Sequence, residues 1–144
     1  MIEGLFNSGS MPVLERMVQF TAQRHQVIVD SIANLSTPNY RPVDLDTAGF
    51  REVLADAIDE RRNRSGGPNG DLKLKDTQQI KFLSDRIDVR TDPRDQNILF
   101  HDRNNRSLEH IMQDLAENAM AHNAALEMLR NQFQSLESAI RERP

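Results

Sequence analysis

The sequence predicts a mainly α-helical protein. Long N- and C-terminal helices pair as an antiparallel coiled coil, with a short, irregular and partly β middle segment between them. Three observations carry this. Apolar residues alternate at three- and four-residue spacing near both ends, which is the 3.5-residue period of a coiled-coil seam. The interiors of both stretches lack proline and glycine. A hydrophobic fraction of 38% with 5% aromatics over 144 residues suits a thin seam better than a thick core.

Residues 1–10 read as an N-terminal extension. They lack both the basic start and the continuous apolar core of a secretory signal peptide. No apolar run approaches the roughly 18 residues that span a bilayer. If the protein works outside the cytoplasm, a route without a cleaved signal carries it there.

Met11, Leu14, Val18, Thr21, His25, Ile28, Ile32 and Leu35 form the first stripe and predict a helix over about residues 11–36. A second stripe, Val13, Met17, Phe20 and Val27, runs beside it with Arg24 interrupting. One partner helix cannot cover both. The middle of the chain reads as too poor in apolar residues to help, so the second stripe is expected to meet neighbouring subunits.

"NLSTPNYRPVDLD", residues 34–46, ends this helix. Pro38 drives Thr37 out of the helical region. Proline second and asparagine third in Thr37-Pro38-Asn39-Tyr40 suit a type II turn, because asparagine tolerates positive φ. Pro42 keeps Arg41 extended, and Tyr40 is expected to stand displayed at the bend.

Residues 46–104 read as an insertion between the two parts of the coiled-coil domain, 11–45 and 105–142. Asp46 or Thr47 caps a short helix over 46–62 with Phe50, Val53, Leu54, Ala57 and Ile58 on its apolar face. "NRSGGPNGD", residues 63–71, reads as a flexible loop. Leu72 with Leu74, Ile80 with Phe82, and Ile87 with Val89 alternate as short strands do. The last helix, over about 106–142 and capped by Asn105 or Ser107, carries the stripe Leu108, Met112, Leu115, Ala119, His122, Leu126, Leu129, Phe133, Leu136 and Ile140.

No catalytic set, metal site or cofactor motif emerges. The chain has no cysteine, and its four histidines fall into no ligand spacing. If His25 and His122 faced each other on the two seams, protonation would push them apart. Asp44 and Asp46 read as surface acids. A net charge of −4 with interspersed signs gives no field for nucleic acid, and Arg61, Arg62 and Arg64 read as a solvated run.

"SIANLSTPNYRPVDLD" resembles the signature of bacterial flagellar rod, hook and axial proteins. The usual form of that signature is N-I-A-N-x-x-T-P-G-Y, a basic residue and, in some members, D-L-D-F. Ile32, Ala33, Asn34, Thr37, Pro38, Tyr40, Arg41, Asp44, Leu45 and Asp46 match it, with Asn39 in place of the glycine. The far end is similar to the companion signature, G-N-N-V-D-L-E followed by a helix with A-E-N and F-x-x-L-x-x-A-I. Asn104, Asn105, Leu108, Glu109, Ala116, Glu117, Asn118, Phe133, Leu136, Ala139 and Ile140 agree, while Arg103, Arg106 and Ser107 depart from it. The short length is similar to the smallest members, the proximal rod subunits. What the resemblance implies is a structural protein without an active site, exported without a cleaved signal and assembled in the periplasmic basal body. Implied partners are copies of itself, other rod subunits, and the membrane-ring, rod-junction and export-gate proteins, with no small-molecule substrate and no nucleic acid. A reading from a different class is a small soluble coiled-coil adaptor or chaperone that binds a partner helix.

Overall fold

The computed structural model describes residues 9–38, 40, 42–64, 70–90 and 106–141. Among them lie three helices and one two-stranded sheet: α1 (Met11–Ala33), α2 (Thr47–Asn63), β1 (Ile80–Phe82), β2 (Ile87–Val89) and α3 (Arg106–Arg141).

Helix α1 opens where the chain needs no extra donor. Pro12 sits in the first turn, and the Leu14 N–H reaches the Ser10 carbonyl at 3.0 Å. The helix ends at Ala33, three residues short of the expected Ser36. There the Asn34 backbone and side-chain N–H groups both donate to the Asp30 carbonyl, at 3.1 and 2.8 Å. The backbone bond is the last four-residue bond of the helix; the next, from the Leu35 N–H to the Ile32 carbonyl at 3.3 Å, spans three residues and tightens the chain out of it.

Helices α1 and α3 pack side by side and run in opposite directions. Met11 and Glu15 line a cleft with Leu129 and Phe133, Thr21 meets Asn118 and His122, and Arg24 meets Asp114. On α1, Met11, Leu14, Thr21 and Ile28 are buried as the first stripe requires, with Val18 and Ile32 half-buried and His25 exposed; Leu35, also half-buried, lies in the turn after the helix.

The stripe expected on α3 is corrected in part. Ile111, Asn118 and Ala125 are buried, and Leu115, His122, Leu129 and Leu136 are half-buried. Leu108, Met112, Leu126, Phe133 and Ile140 are 41–65% exposed. The helix is rolled so that the line 111, 118, 125 faces α1, one residue back from 112, 119, 126. Two contacts set this roll: Asp114 turns toward Arg24, and Asn118 reaches the Thr21 carbonyl. The small side chain of Ala125 lets the helices approach at the next turn. Helix α3 begins at Arg106, so Ser107 lies within it and does not precede it; Asn105 lies outside the described residues.

The middle segment covers the second stripe of α1, against expectation. Phe20 is 3% exposed and clusters with Leu45, Phe50, Leu54, Ile80 and Ile87, while Val13, Met17 and Val27 pack against that cluster. The Phe20 and Phe50 rings stack at 4.0 Å, and Phe82 extends the stack at 6.3 Å. These four α1 residues therefore meet the chain's own α2 and hairpin. A few well-placed aromatic and branched residues suffice where the count of apolar residues looked too low.

The hairpin is built for that position. Strands β1 and β2 pair antiparallel with Ile80 opposite Val89 and Phe82 opposite Ile87. The alternation puts Ile80 and Ile87 into the cluster. Helix α1 also holds the turn between the strands: Arg16 donates to the Ser84 carbonyl at 2.9 Å, and Gln19 to the Asp85 carbonyl at 3.0 Å. Leu72 and Leu74 are half-buried against the cluster without joining a strand. Their segment is tethered by Lys75, 3.0 Å from Glu60. That hydrogen bond, with the lysine's charge, holds the Glu60 carboxyl below its ordinary range, so the tether is present at neutral pH and lost on acidification. The loop expected at 63–71 falls largely on residues 65–69, outside the described residues.

Because Phe50 bridges Phe20 and Phe82, Phe50→Ala is predicted to cost about 3–4 kcal/mol in urea denaturation. Val53→Ala, at a half-buried position of the same helix, is predicted to cost less than about half of that.

Candidate functional site

The sequence-predicted residues converge on the corner after α1 and on the helix interface beside it. The corner consists of consecutive turns. The Thr37 N–H donates to the Asn34 carbonyl at 2.9 Å, and the Tyr40 N–H to the Thr37 carbonyl at 3.2 Å. Thr37-Pro38-Asn39-Tyr40 thus closes as a turn; Asn39 and Arg41 lie outside the described residues. Thr37 and Pro38 are exposed, whereas Tyr40 is half-buried. Its hydroxyl lies 3.4 Å from Ser31 Oγ, so Tyr40 turns back onto α1 and is not displayed to solvent as expected.

Ser31 is 2% exposed and anchors the returning chain. Its hydroxyl donates to the Val43 carbonyl at 3.3 Å, and the Val43 N–H donates back at 3.4 Å. These contacts place Asp44 over the buried Arg24. Arg24 Nε and Nη2 donate to the two carboxylate oxygens of Asp44 at 2.9 and 2.7 Å, the planar two-pronged geometry that makes such pairs strong. Asp114 of α3 lies 3.6 Å from the same guanidinium. The hydrogen bond to Asp44 first, and then the charges of Asp44, Asp114 and Glu117, hold Arg24 protonated above its ordinary value against the opposing effect of burial.

Reading Asp44 and Asp46 as plain surface acids is therefore corrected. Asp44 is the counter-ion of a buried cation. Asp46 caps α2, accepting from the Gly49 N–H at 2.9 Å, while its own N–H donates to Gln79 Oε1 at 2.9 Å. Cap and glycine belong together, because a Cβ at Gly49 would run into the Asp46 carboxylate.

Across the helix interface, Asn118 is 2% exposed and its amide donates to the Thr21 carbonyl at 2.9 Å. Thr21 Oγ lies 2.8 Å from the Met17 carbonyl and 2.8 Å from His122 Nδ1. A hydroxyl has one proton. With that proton on the Met17 carbonyl, His122 carries its own on Nδ1 and donates. His122 thus pairs with Thr21 and not with His25, which is exposed. Thr21 and His122 have the atoms of a nucleophile and a base, yet Thr21 is 6% exposed. The cleft of about 370 Å³ between the helices is lined by Met11, Glu15, Leu129 and Phe133, not by this pair.

Arg61 also departs from expectation. It is 6% exposed and donates to the Gly9 carbonyl, tying α2 to the start of α1. Among the described residues, no three His, Asp or Glu side chains gather as a metal site, and no helix is long and apolar enough to cross a membrane. No family model, no curated protein and no solved structure matches this chain.

Each corner and interface residue therefore has a measurable structural task. Asp46→Ala is predicted to lower stability by about 1 kcal/mol as a lost cap. Asn118→Ala, which opens space in the interface as well, is predicted to cost about 1–3 kcal/mol. Tyr40→Phe, which removes only a long contact, is predicted to stay within about 0.5 kcal/mol. Urea denaturation of the three variants checks the ranking.

Proposed function

We propose that this chain is a structural subunit of the proximal rod of the bacterial flagellar basal body, most like the rod protein FlgB, with FlgC the next candidate. In this reading it has no active site and transmits torque as part of a helical drive shaft. It reaches the periplasmic basal body by export without a cleaved signal. Its partners are copies of itself, other rod subunits, and the membrane-ring, rod-junction and export-gate proteins.

The observation that carries the reading is the signature from Asn34 to Asp46, whose residues work together as one structural device. Asn34 ends α1, Thr37 and Tyr40 close the corner, Asp44 neutralises Arg24, and Asp46 starts α2. A motif that spends its polar residues on holding a corner suits a subunit whose task is shape. Asn118, in the companion signature, supports the same view by fixing the α1–α3 interface. In this reading α1 and α3 form the antiparallel coiled coil of the rod core. The apolar surface offered to neighbouring subunits lies on the outer side of α3 at Met112, Leu126 and Ile140, because Val13, Met17, Phe20 and Val27 are covered within the chain. Copies stacked head to tail through such a surface build a helical tube.

The same exposed stripe favours a second reading, a coiled-coil adaptor or chaperone that seats a partner helix on α3. Location separates the two. The rod reading predicts that cells lacking the chain are non-motile with basal bodies arrested before the distal rod, and that a tagged copy co-purifies with intact basal bodies. Motile cells without it, or a tagged copy confined to the cytosol with an unidentified helical partner, would overturn the rod reading.

A further inference from the structure

Arg61 is a second buried cation, and unlike Arg24 it lacks a counter-charge. It is 6% exposed and makes no ion pair among the described residues. Its Nη2 donates to the Gly9 carbonyl, a neutral acceptor, while its Nη1 is closed off without any hydrogen-bond partner. A buried charge left in that state is costly.

The position of the guanidinium enlarges the deficit. Gly9 stands just before the cap of α1, and the start of a helix carries about half a positive charge. Two positive poles therefore meet. The ordinary remedies are missing, because Ser10 makes no side-chain cap bond and the first turn holds no acidic residue. Pro12 has no N–H to offer, so the donors that Ser10 leaves uncapped in this turn are those of Met11 and Val13.

We propose that the start of α1, together with Arg61, binds a phosphate group, either as free phosphate or as the phosphate of a small monoester. Charge selects that ligand. The guanidinium and the helix end together amount to about +1.5, which a phosphate at about −1.5 to −2 balances and a single carboxylate does not. The site also has room and access. Gly9 and Ser10 are exposed, and nothing lies within 4 Å of the point where a side chain on Gly9 would begin. That space borders the first turn of α1. The flexible stem of Arg61 lets its head turn from the neutral Gly9 carbonyl toward an ion seated there. Glu15, exposed one turn further along α1, opposes an anion, so binding is weak, with a dissociation constant of about 1 mM. The inference rests on Arg61 and α1 and holds whether or not the chain builds a rod.

Calorimetric titration of the full chain at constant ionic strength, with inorganic phosphate and separately with glycerol phosphate, should show one site. The tighter ligand of the two identifies the source. At ~50 mM, that ligand should raise the thermal midpoint by at least about 4 °C over chloride of equal ionic strength. Arg61→Met should weaken binding at least about 10-fold and Arg61→Lys less, both with the wild-type circular dichroism. Ser10→Asp, at an exposed position, supplies the missing charge from the chain itself and keeps the test available should Arg61→Met not fold. It should raise the midpoint without phosphate and weaken phosphate binding at least about 10-fold. No heat and no midpoint shift with either ligand at ~50 mM, or binding undiminished in folded Arg61→Met or in Ser10→Asp, would overturn the proposal.

Discussion

Arg24 is a cation that is only 6% exposed, and its needs organise the structure around it. An unpaired buried charge is costly, and pairing repays that cost only with good geometry and complete hydrogen bonding. Here the guanidinium is met from two directions. Asp44 arrives from the corner with two short hydrogen bonds, and Asp114 arrives from α3. For Asp44 to be in place, the chain must leave α1 at Ala33, turn twice, and lie back along the helix where Ser31 receives Val43. For Asp114 to be in place, α3 must roll its 111–118–125 line inward. Corner and roll, which look like separate features, satisfy the same charge.

This arrangement makes α1 the middle layer. Leu14, Thr21 and Ile28 lie on the face toward α3, and Phe20 with Val13, Met17 and Val27 lies on the face toward α2 and the hairpin. Arg24 and Ser31 sit between the two faces, at the line where corner, α1 and α3 meet. A chain with few apolar residues thus builds two thin seams on either side of a single helix. His25, Gln26 and Val29 keep a third side of that helix exposed, and among the described residues Met112, Leu126 and Ile140 on the outer side of α3 are exposed as well.

How much of this the sequence displays depends on the range of the interaction. The three helices, the α2 cap and the stop before Pro38 come from spacing, capping chemistry and proline sterics, all of which act within a few residues. The roll of α3 was not legible, because heptad spacing marks every apolar position alike. It does not say that Asn118 and Ala125 will displace Leu126 and Met112 from the interface. Arg24 was visible as an interruption in an apolar stripe, which is the right signal for a buried charge, but its counter-ions are 20 and 90 residues away in sequence. The covering of Phe20 by Phe50 and Phe82 was likewise hidden, since three aromatics spread over 62 residues leave no periodic trace.

Arg24 and Asp44 act as a unit, and a double-mutant cycle measures their coupling most directly. Arg24→Met, Asp44→Asn and the double variant are compared with the unaltered chain by urea denaturation. A coupling energy of about 2 kcal/mol or more, with the double variant less damaged than the sum of the singles, is the predicted result. Losses that simply add, within about 0.5 kcal/mol, would contradict it.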